Sequence, residues 1–250
     1  MIYSCGYWKN ASTLDQAQEA KLELICRKLQ LEPSMRLLDI GCGWGGMAAY
    51  AARNYGVQVV GITVSREQAQ YARDHCRGLP VAIELKDYRE LTGTFDRVVS
   101  IGMFEHVGHK NYRTFMEQQK SLLTSNGLAL LHTIGRNKSG PTIDKWISRY
   151  IFPNSMLPSA KQITGAAEGL FVIEDWHSFG TDYDITLRHW FRNFDSSFER
   201  LPKAAYDERF YRMWKYYLLS CAGSFRARRN QVWQIVLSPQ GCLGGYQAPR

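Results

Sequence analysis

The run from Arg36 to Gly46, Arg-Leu-Leu-Asp-Ile-Gly-Cys-Gly-Trp-Gly-Gly, constrains the fold of this chain more than any other. Leu37, Leu38, Asp39 and Ile40 read as a short buried strand. Glycines at 41, 43, 45 and 46 follow, and Met47, Ala48, Ala49, Ala51 and Ala52 open a helix. Strand, glycine turn and helix in this order form a nucleotide-type loop. The glycines let the backbone turn sharply and approach a ligand where a side chain would collide. A dinucleotide fingerprint requires G-x-G-x-x-G, with pyrophosphate on the helix N-terminus. Here the spacing is Asp39-x-Gly41-x-Gly43-x-Gly45. An acid inside the turn repels pyrophosphate and receives a cation. S-adenosylmethionine carries an ammonium and a sulfonium and no phosphate, so it suits this turn; an ordinary glycine-rich turn is the plain alternative.

The surrounding pattern alternates strands and helices. Val57 to Ile62 reads as a second strand, with Ser65 and Gln68 as a capping box for the helix after it. The end of that strand lacks the acid that dinucleotide enzymes use for ribose; Thr63 and Gln68 are the alternative ribose partners. Val81 to Lys86 is a third strand, which places Asp87 to meet an adenine amino group or to serve as a turn acid. Phe95 to Ile101 is a fourth strand, Tyr112 to Leu123 a helix and Gly127 to Thr133 a fifth strand. Phe171 to Glu174 and Asn230 to Leu237 complete the strands; Asp184 to Phe198 and Ala204 to Cys221 are aromatic-rich helices. The alternation predicts an α/β fold with a doubly wound, mostly parallel sheet, and 250 residues suffice for one such domain.

Two stretches stand outside the alternation. Residues 1–11 crowd Tyr3, Cys5, Tyr7 and Trp8 ahead of a helix headed by Thr13 with Gln16 as its box partner. Leu14, Ala17, Leu24, Ile25 and Leu29 mark the buried stripe of that helix, and Pro33 closes it. So many aromatics predict a segment packed over something rather than a mobile tail. Residues 135–169 hold Pro141, Pro153 and Pro158 and the run Trp146 to Phe152. An insertion of this length reads as a lid or binding element.

The six cysteines are scattered with no C-x-x-C pair, which speaks for a reducing compartment and against a metal site or disulfide framework. No apolar run approaches the ~20 residues of a transmembrane helix, and no signal peptide is visible. The net charge of +8 admits an anionic membrane or nucleic acid as partner, but no motif supports nucleic acid. Lys145 and Arg149 beside the aromatics of 146–152, and the cluster Arg226, Arg228 and Arg229, are candidate lipid-facing cations; a solvated face or internal ion pairs would explain the cluster equally.

Glu105 and His106 lie at the end of the fourth strand and His132 at the end of the fifth, on the side where this architecture binds ligands. Cys5 and Tyr183 lie in segments able to fold over that face. Singly, each has an ordinary reading: a core histidine, a capping acid, a buried thiol.

Several stretches together resemble the bacterial cyclopropane-fatty-acyl-phospholipid synthases. They are Tyr3-Ser4-Cys5-Gly6-Tyr7-Trp8, Leu38 to Gly46, Gly61-Ile62-Thr63-Val64-Ser65, Met103-Phe104-Glu105-His106-Val107-Gly108, Leu131-His132-Thr133-Ile134-Gly135, Tyr150-Ile151-Phe152-Pro153, Glu174-Asp175-Trp176-His177 and Cys221 to Arg228. The glycine loop is common to many methyltransferases; the Phe104-to-His106 and Tyr150-to-Pro153 stretches are far more specific. The resemblance implies a seven-stranded sheet of the class I S-adenosylmethionine methyltransferase type, one domain over 1–250, with residues 134–170 as a helical lid or acyl-chain insertion. It implies transfer of the S-adenosylmethionine methyl carbon to a cis double bond of a phospholipid acyl chain, closing a cyclopropane ring with bound bicarbonate as the base. The bicarbonate ligands carry over to Cys5, Glu105, His132, Ile134 (through the backbone) and Tyr183. The S-adenosylmethionine pocket carries over to Tyr3, Ser4, Gly41, Gly43, Thr63, Gln68, Asp87 and Gly102, beside Asp39. A cytoplasmic chain, peripheral to the inner face of the membrane and able to form a homodimer, is the implied setting. Family members carry a further N-terminal domain before the Tyr-Ser-Cys segment, and this sequence starts at that segment. The alternatives are methylation of fatty acids or small amines without ring closure, and a non-catalytic lipid- or cofactor-binding protein.

Overall fold

A computed structural model describes residues 1–140 and 144–250; Pro141 lies outside the described residues. Seven strands form one sheet: β1 (Arg36–Ile40), β2 (Gln58–Thr63), β3 (Val81–Leu85), β4 (Phe95–Ile101), β5 (Leu123–Arg136), β6 (Val172–Ser178) and β7 (Asn230–Ser238). Their spatial order is β3-β2-β1-β4-β5-β7-β6. All pairs are parallel except those of β7, which runs antiparallel between β5 and β6. The alternation predicts the doubly wound, mostly parallel sheet, and the seven strands with an antiparallel β7 are those of the class I S-adenosylmethionine methyltransferase type that the resemblance implies.

Neighbouring apolar residues send their side chains to opposite faces, as the period of two requires. Leu37, Val99, Leu130 and Val236 join one core, against α1 (Leu14–Lys28) and α2 (Gly46–Tyr55). Leu38, Val98, Leu131 and Ile235 join the other, against α4 (Tyr112–Ser121) and α6 (Ala160–Ala167). Both faces are covered, which is why the central strands read as nearly unbroken apolar runs. The Thr13–Gln16 capping box forms as expected. The Ser65–Gln68 box forms only by half. Ser65 Oγ accepts from the Gln68 amide ahead of α3 (Arg66–His75), but the Gln68 side chain turns instead to Thr63.

The 135–169 segment divides. Its second part is structural: Ile163 and Ala166 of α6 sit in the core beside α4. Its first part carries the short helix α5 (Lys145–Tyr150), capped by Asp144. Trp146, Ile147, Ile151 and Phe152 turn inward against α7 (Thr181–Ser197) and α8 (Glu208–Arg226), while Lys145, Arg149 and Tyr150 stay exposed. Arg226 of the expected cationic cluster is held by Asp184 through two hydrogen bonds of 2.9 and 3.0 Å, a carboxylate it shares with Arg188.

Gly135 pairs with Gln231 in the β5–β7 ladder, and the indole of neighbouring Trp233 lies over it, so a β-carbon there would collide with that ring. The strand that carries His132 and Ile134 therefore depends on this glycine. Gly135→Ala should lower the unfolding free energy by about 2–3 kcal/mol through overpacking. Urea denaturation checks this; an unchanged midpoint would show that Trp233 moves aside freely.

Candidate active site

The loop after β1 builds one wall of a cleft at the carboxyl ends of the strands. Gly41 has φ +80°, and a β-carbon there would lie 2.7 Å from Met103 Cγ. Gly43 has φ +55° and open space where a side chain would project, so the backbone is bare toward the cleft. Gly102, just after β4, also has positive φ and open space, and its N–H donates to the His132 carbonyl at 2.9 Å. Asp39 is buried, and its Oδ2 finds no hydrogen-bond partner among the described residues. Burial pushes its carboxyl up to about 7, against the pull of the Lys21 ammonium. At the end of β2, Thr63 Oγ1 donates to Gln68 Oε1 at 2.8 Å. Asp87 stands at the end of β3, but Arg89 engages both of its carboxylate oxygens, at 2.9 and 2.7 Å. The turn-acid reading thus describes its own contacts.

The second wall comes from β4, β5 and β7. Glu105 follows β4 in a single turn of 3-10 helix and is 5% exposed. Its Oε1 accepts from the Ile134 N–H at 2.6 Å, whereas Oε2 is buried without a partner among the described residues. Burial raises its carboxyl to about 7, partly offset by the Ile134 N–H. His132 lies in β5 opposite Ile101 of β4 and Gln234 of β7. Burial, with Lys21 and Lys28 adding repulsion, holds its pKa well below the usual value, so the ring is neutral. Gln234 Nε2 lies 3.3 Å from Nδ1. With Gln234 donating to Nδ1, the ring proton sits on Nε2.

The N-terminal segment closes the cleft, and its aromatics are packed. The Tyr3 ring stacks on Trp190 at 4.8 Å, and its hydroxyl lies 2.9 Å from that of Tyr217. Thr186 Oγ1 of α7 accepts from the Gly6 N–H and from Trp8 Nε1, at 3.1 and 2.9 Å, and Asp182 accepts from the Trp8 N–H at 2.7 Å. Ser4 is held from α1 by Gln18 and Lys21. Cys5 is fully buried with Tyr183, Phe179 and Ile134 in one cluster. Phe179 also meets the His132 ring edge-on at 5.8 Å. Burial drives the Cys5 thiol and the Tyr183 hydroxyl well above their usual values, so both keep their protons. Cys5, Glu105, His132, Ile134 and Tyr183 thus converge beside the glycine loop.

An aromatic and aliphatic wall extends outward from this point through Phe152, Trp146, Tyr217, Trp214, Trp190 and Phe191. Among the described residues no helix is long and apolar enough to cross a membrane. Lys21, Gln18, Gln234, Thr186 and Asp182 are the site neighbours that sequence reasoning missed. Lys21 and Gln18 carry a legible signal, polar residues on the apolar stripe of α1; the other three acquire meaning only through packing.

The raised carboxyl of Glu105 makes stability depend on pH. Between about pH 4.5 and 7 the folded chain keeps a proton that the unfolded chain releases, so its stability falls as pH rises. Glutamine is the permanently neutral isostere. From pH 5 to 8 the unfolding free energy of the wild type should fall relative to Glu105→Gln by about 2 kcal/mol. Urea melts of both proteins at both pH values test this; parallel pH curves would show that Glu105 ionises in the folded chain at its ordinary value.

The mycolic acid cyclopropane synthetase family matches residues 1–235. The chain is 54% identical, over all 250 of its residues, to a cyclopropane-fatty-acyl-phospholipid synthase from Escherichia coli K12, and spans 65% of that protein's length. It is 35% identical to the S-adenosylmethionine-dependent methyltransferase UmaA of Mycobacterium tuberculosis, over 95% of this chain and 90% of that protein. The cyclopropane synthase MmaA2 from M. tuberculosis superposes with a TM-score of 0.88 at 31% identity, over 94% of this chain and 89% of that one. The mycolic acid cyclopropane synthase CmaA1, solved with SAH and CTAB, superposes with a TM-score of 0.87 at 33% identity, over the same shares. By the family match, the sequence identities and the superposed folds, the chain belongs to the mycolic acid cyclopropane synthetase family.

Proposed function

We propose that this chain is an S-adenosylmethionine-dependent methyltransferase. Its reaction would add the methyl carbon to a cis double bond of a phospholipid acyl chain and close a cyclopropane ring, with bicarbonate as the base. The observation that carries this reading is Glu105: a buried carboxyl with one oxygen fixed by Ile134 and the other unpartnered, beside neutral His132 and protonated Tyr183. Simple methylation of an amine needs no such site. The relatives that match this chain include a cyclopropane-fatty-acyl-phospholipid synthase and a mycolic acid cyclopropane synthase solved with SAH.

The residues fit both groups. When bound, S-adenosylmethionine supplies an electrophilic methyl carbon on a sulfonium. Asp39, with its unpartnered oxygen, receives the ammonium of the methionine end, and the bare backbone at Gly41, Gly43 and Gly102 lets that end come close. Thr63 and Gln68 meet the ribose hydroxyls, Asp87 shares its carboxylate with the adenine amino group, and Tyr3 and Ser4 cover the site. When bound, bicarbonate supplies the base that removes one proton as the ring closes. His132 Nε2–H, the Tyr183 hydroxyl and the Glu105 acid proton form a donor set for an anion. Burial keeps the Tyr183 hydroxyl protonated and raises the Glu105 carboxyl to about 7, which lowers the negative charge around an anion site. Cys5 and the Ile134 main chain complete its boundary. The alkene is a weak nucleophile, so alignment with the methyl carbon supplies much of the rate. Aromatic rings beside the site, such as Phe179 and Tyr183, would stabilise the positive charge that develops, by about 2 kcal/mol or more where water is excluded.

The outer face supports a lipid surface as the place of work, peripheral to a membrane. Trp146, Tyr150, Arg209, Arg212, Met213 and Tyr216 line a shallow groove between α5 and α8. Aromatics beside cations suit the headgroup region. The 145–158 stretch, between this groove and Glu105, is the lid of this reading: the Met156 N–H donates to the Glu105 carbonyl at 2.7 Å.

The test is mass analysis of monounsaturated phospholipid vesicles after incubation with the chain and S-adenosylmethionine, with and without bicarbonate. A gain of one CH₂ with loss of the double bond, dependent on bicarbonate, is expected. A gain with the double bond retained would mean methylation without ring closure. Cofactor binding without S-adenosylhomocysteine release would mean a binding protein. In the same assay Glu105→Gln should lower turnover by at least about a hundredfold with cofactor affinity nearly unchanged. Asp39→Ala should abolish cofactor binding in titration calorimetry, and normal affinity there would remove its assigned role.

A further inference from the structure

Ser4 is gripped at two points from one helix. Gln18 Nε2 donates to its carbonyl at 2.8 Å, and Lys21 Nζ donates to its Oγ at 2.7 Å. Residues three apart share a helix face, so α1 presents an amide and an amine to Ser4 where its buried stripe should be apolar. Lys21 is 1% exposed, and an isolated buried ammonium is strongly disfavoured. Burial pulls its pKa down to about 7, and Asp39 lies within electrostatic reach and pulls it back up. A structural peg for residues 3–5 would not need a charge there.

The chemistry of the bond gives the charge a task. In its ammonium form Lys21 has three donors and no acceptor, and Ser4 Oγ accepts from it at 2.7 Å. Its own hydroxyl hydrogen is then left to donate elsewhere, and donation from a cation strengthens it as a donor. We propose that Lys21 is a positioning residue for cofactor binding: through Ser4 it presents a polarised O–H donor, backed by a positive charge, to the carboxylate of the cofactor's methionine end. The two ends of that amino acid then meet opposite fields, the ammonium at Asp39 and the carboxylate at Lys21–Ser4. The inference rests on the S-adenosylmethionine reading above and adds the group that selects a zwitterion.

The test uses titration calorimetry with S-adenosylhomocysteine and with its decarboxylated analogue, which keeps the amine and lacks only the carboxylate. Lys21→Met keeps the length and removes the ammonium. It should weaken S-adenosylhomocysteine about tenfold or more, the scale of one charge-assisted hydrogen bond, and leave the analogue within about twofold. Ser4→Ala should show the same selectivity. The double variant should be no worse than either single one, because the two residues act as one unit. Lys21→Gln retains a donor to Ser4 and should recover part of the loss; it also serves if Lys21→Met melts too low to titrate. Equal loss of both ligands, or unchanged S-adenosylhomocysteine affinity in folded variants, would overturn the proposal. Wild-type protein that binds neither ligand would overturn the cofactor reading itself.

Discussion

The site depends on one hydrogen bond, from the Ile134 N–H to Glu105 Oε1. It joins the loop after β4 to the far end of β5 and buries a carboxyl between them. The Met156 N–H binds the main chain of the same residue, so the 145–158 segment is tied to the same point. Glu105 thus links the sheet, the loop after β4 and the 145–158 segment. Its second oxygen is left without a partner, which a protein tolerates where function asks for it. The raised pKa and the unmet oxygen have one cause, removal from water with half of the carboxyl's hydrogen bonds supplied.

The N-terminal segment is the second constraint. It has little regular structure of its own and is held by side chains on both flanks. Gln18 and Lys21 reach it from α1, Asp182 and Thr186 from α7, and Tyr3 stacks on Trp190. A buried loop must satisfy its backbone groups through such partners. The arrangement brings Cys5 beside Tyr183 and covers the cleft with aromatic rings. It also explains why α1, otherwise an ordinary amphipathic helix, carries polar groups on its inner face.

Legibility differed among the elements for physical reasons. The central strands and the glycine loop were plain, since a two-sided buried strand must be apolar and a ligand-hugging turn must lack side chains. The Ser65–Gln68 box was half right. The local spacing allowed it, but Thr63 at the end of β2 competes successfully for the Gln68 side chain. The aromatic run of 146–152 read as lipid-facing because of its cations. The fold turns its apolar side inward and leaves Lys145, Arg149 and Tyr150 outside. For Arg226 the sequence leaves lipid contact and an internal ion pair equally open; the packing of α7 on α8 brings Asp184 to it from 42 residues away.

By itself the sequence determined the strand–turn–helix alternation, the acid and glycines of the first loop, and the residue types at strand ends. Those follow from local rules: periodicity, conformational freedom and capping act within a few residues. Only the tertiary structure decided which of those residues meet. Glu105 with Ile134, His132 with Gln234, Cys5 with Tyr183, and Lys21 with Ser4 are pairs separated along the chain. Their meaning lies in burial, and burial strengthens every unmet charge and hydrogen bond between groups that no local pattern joins.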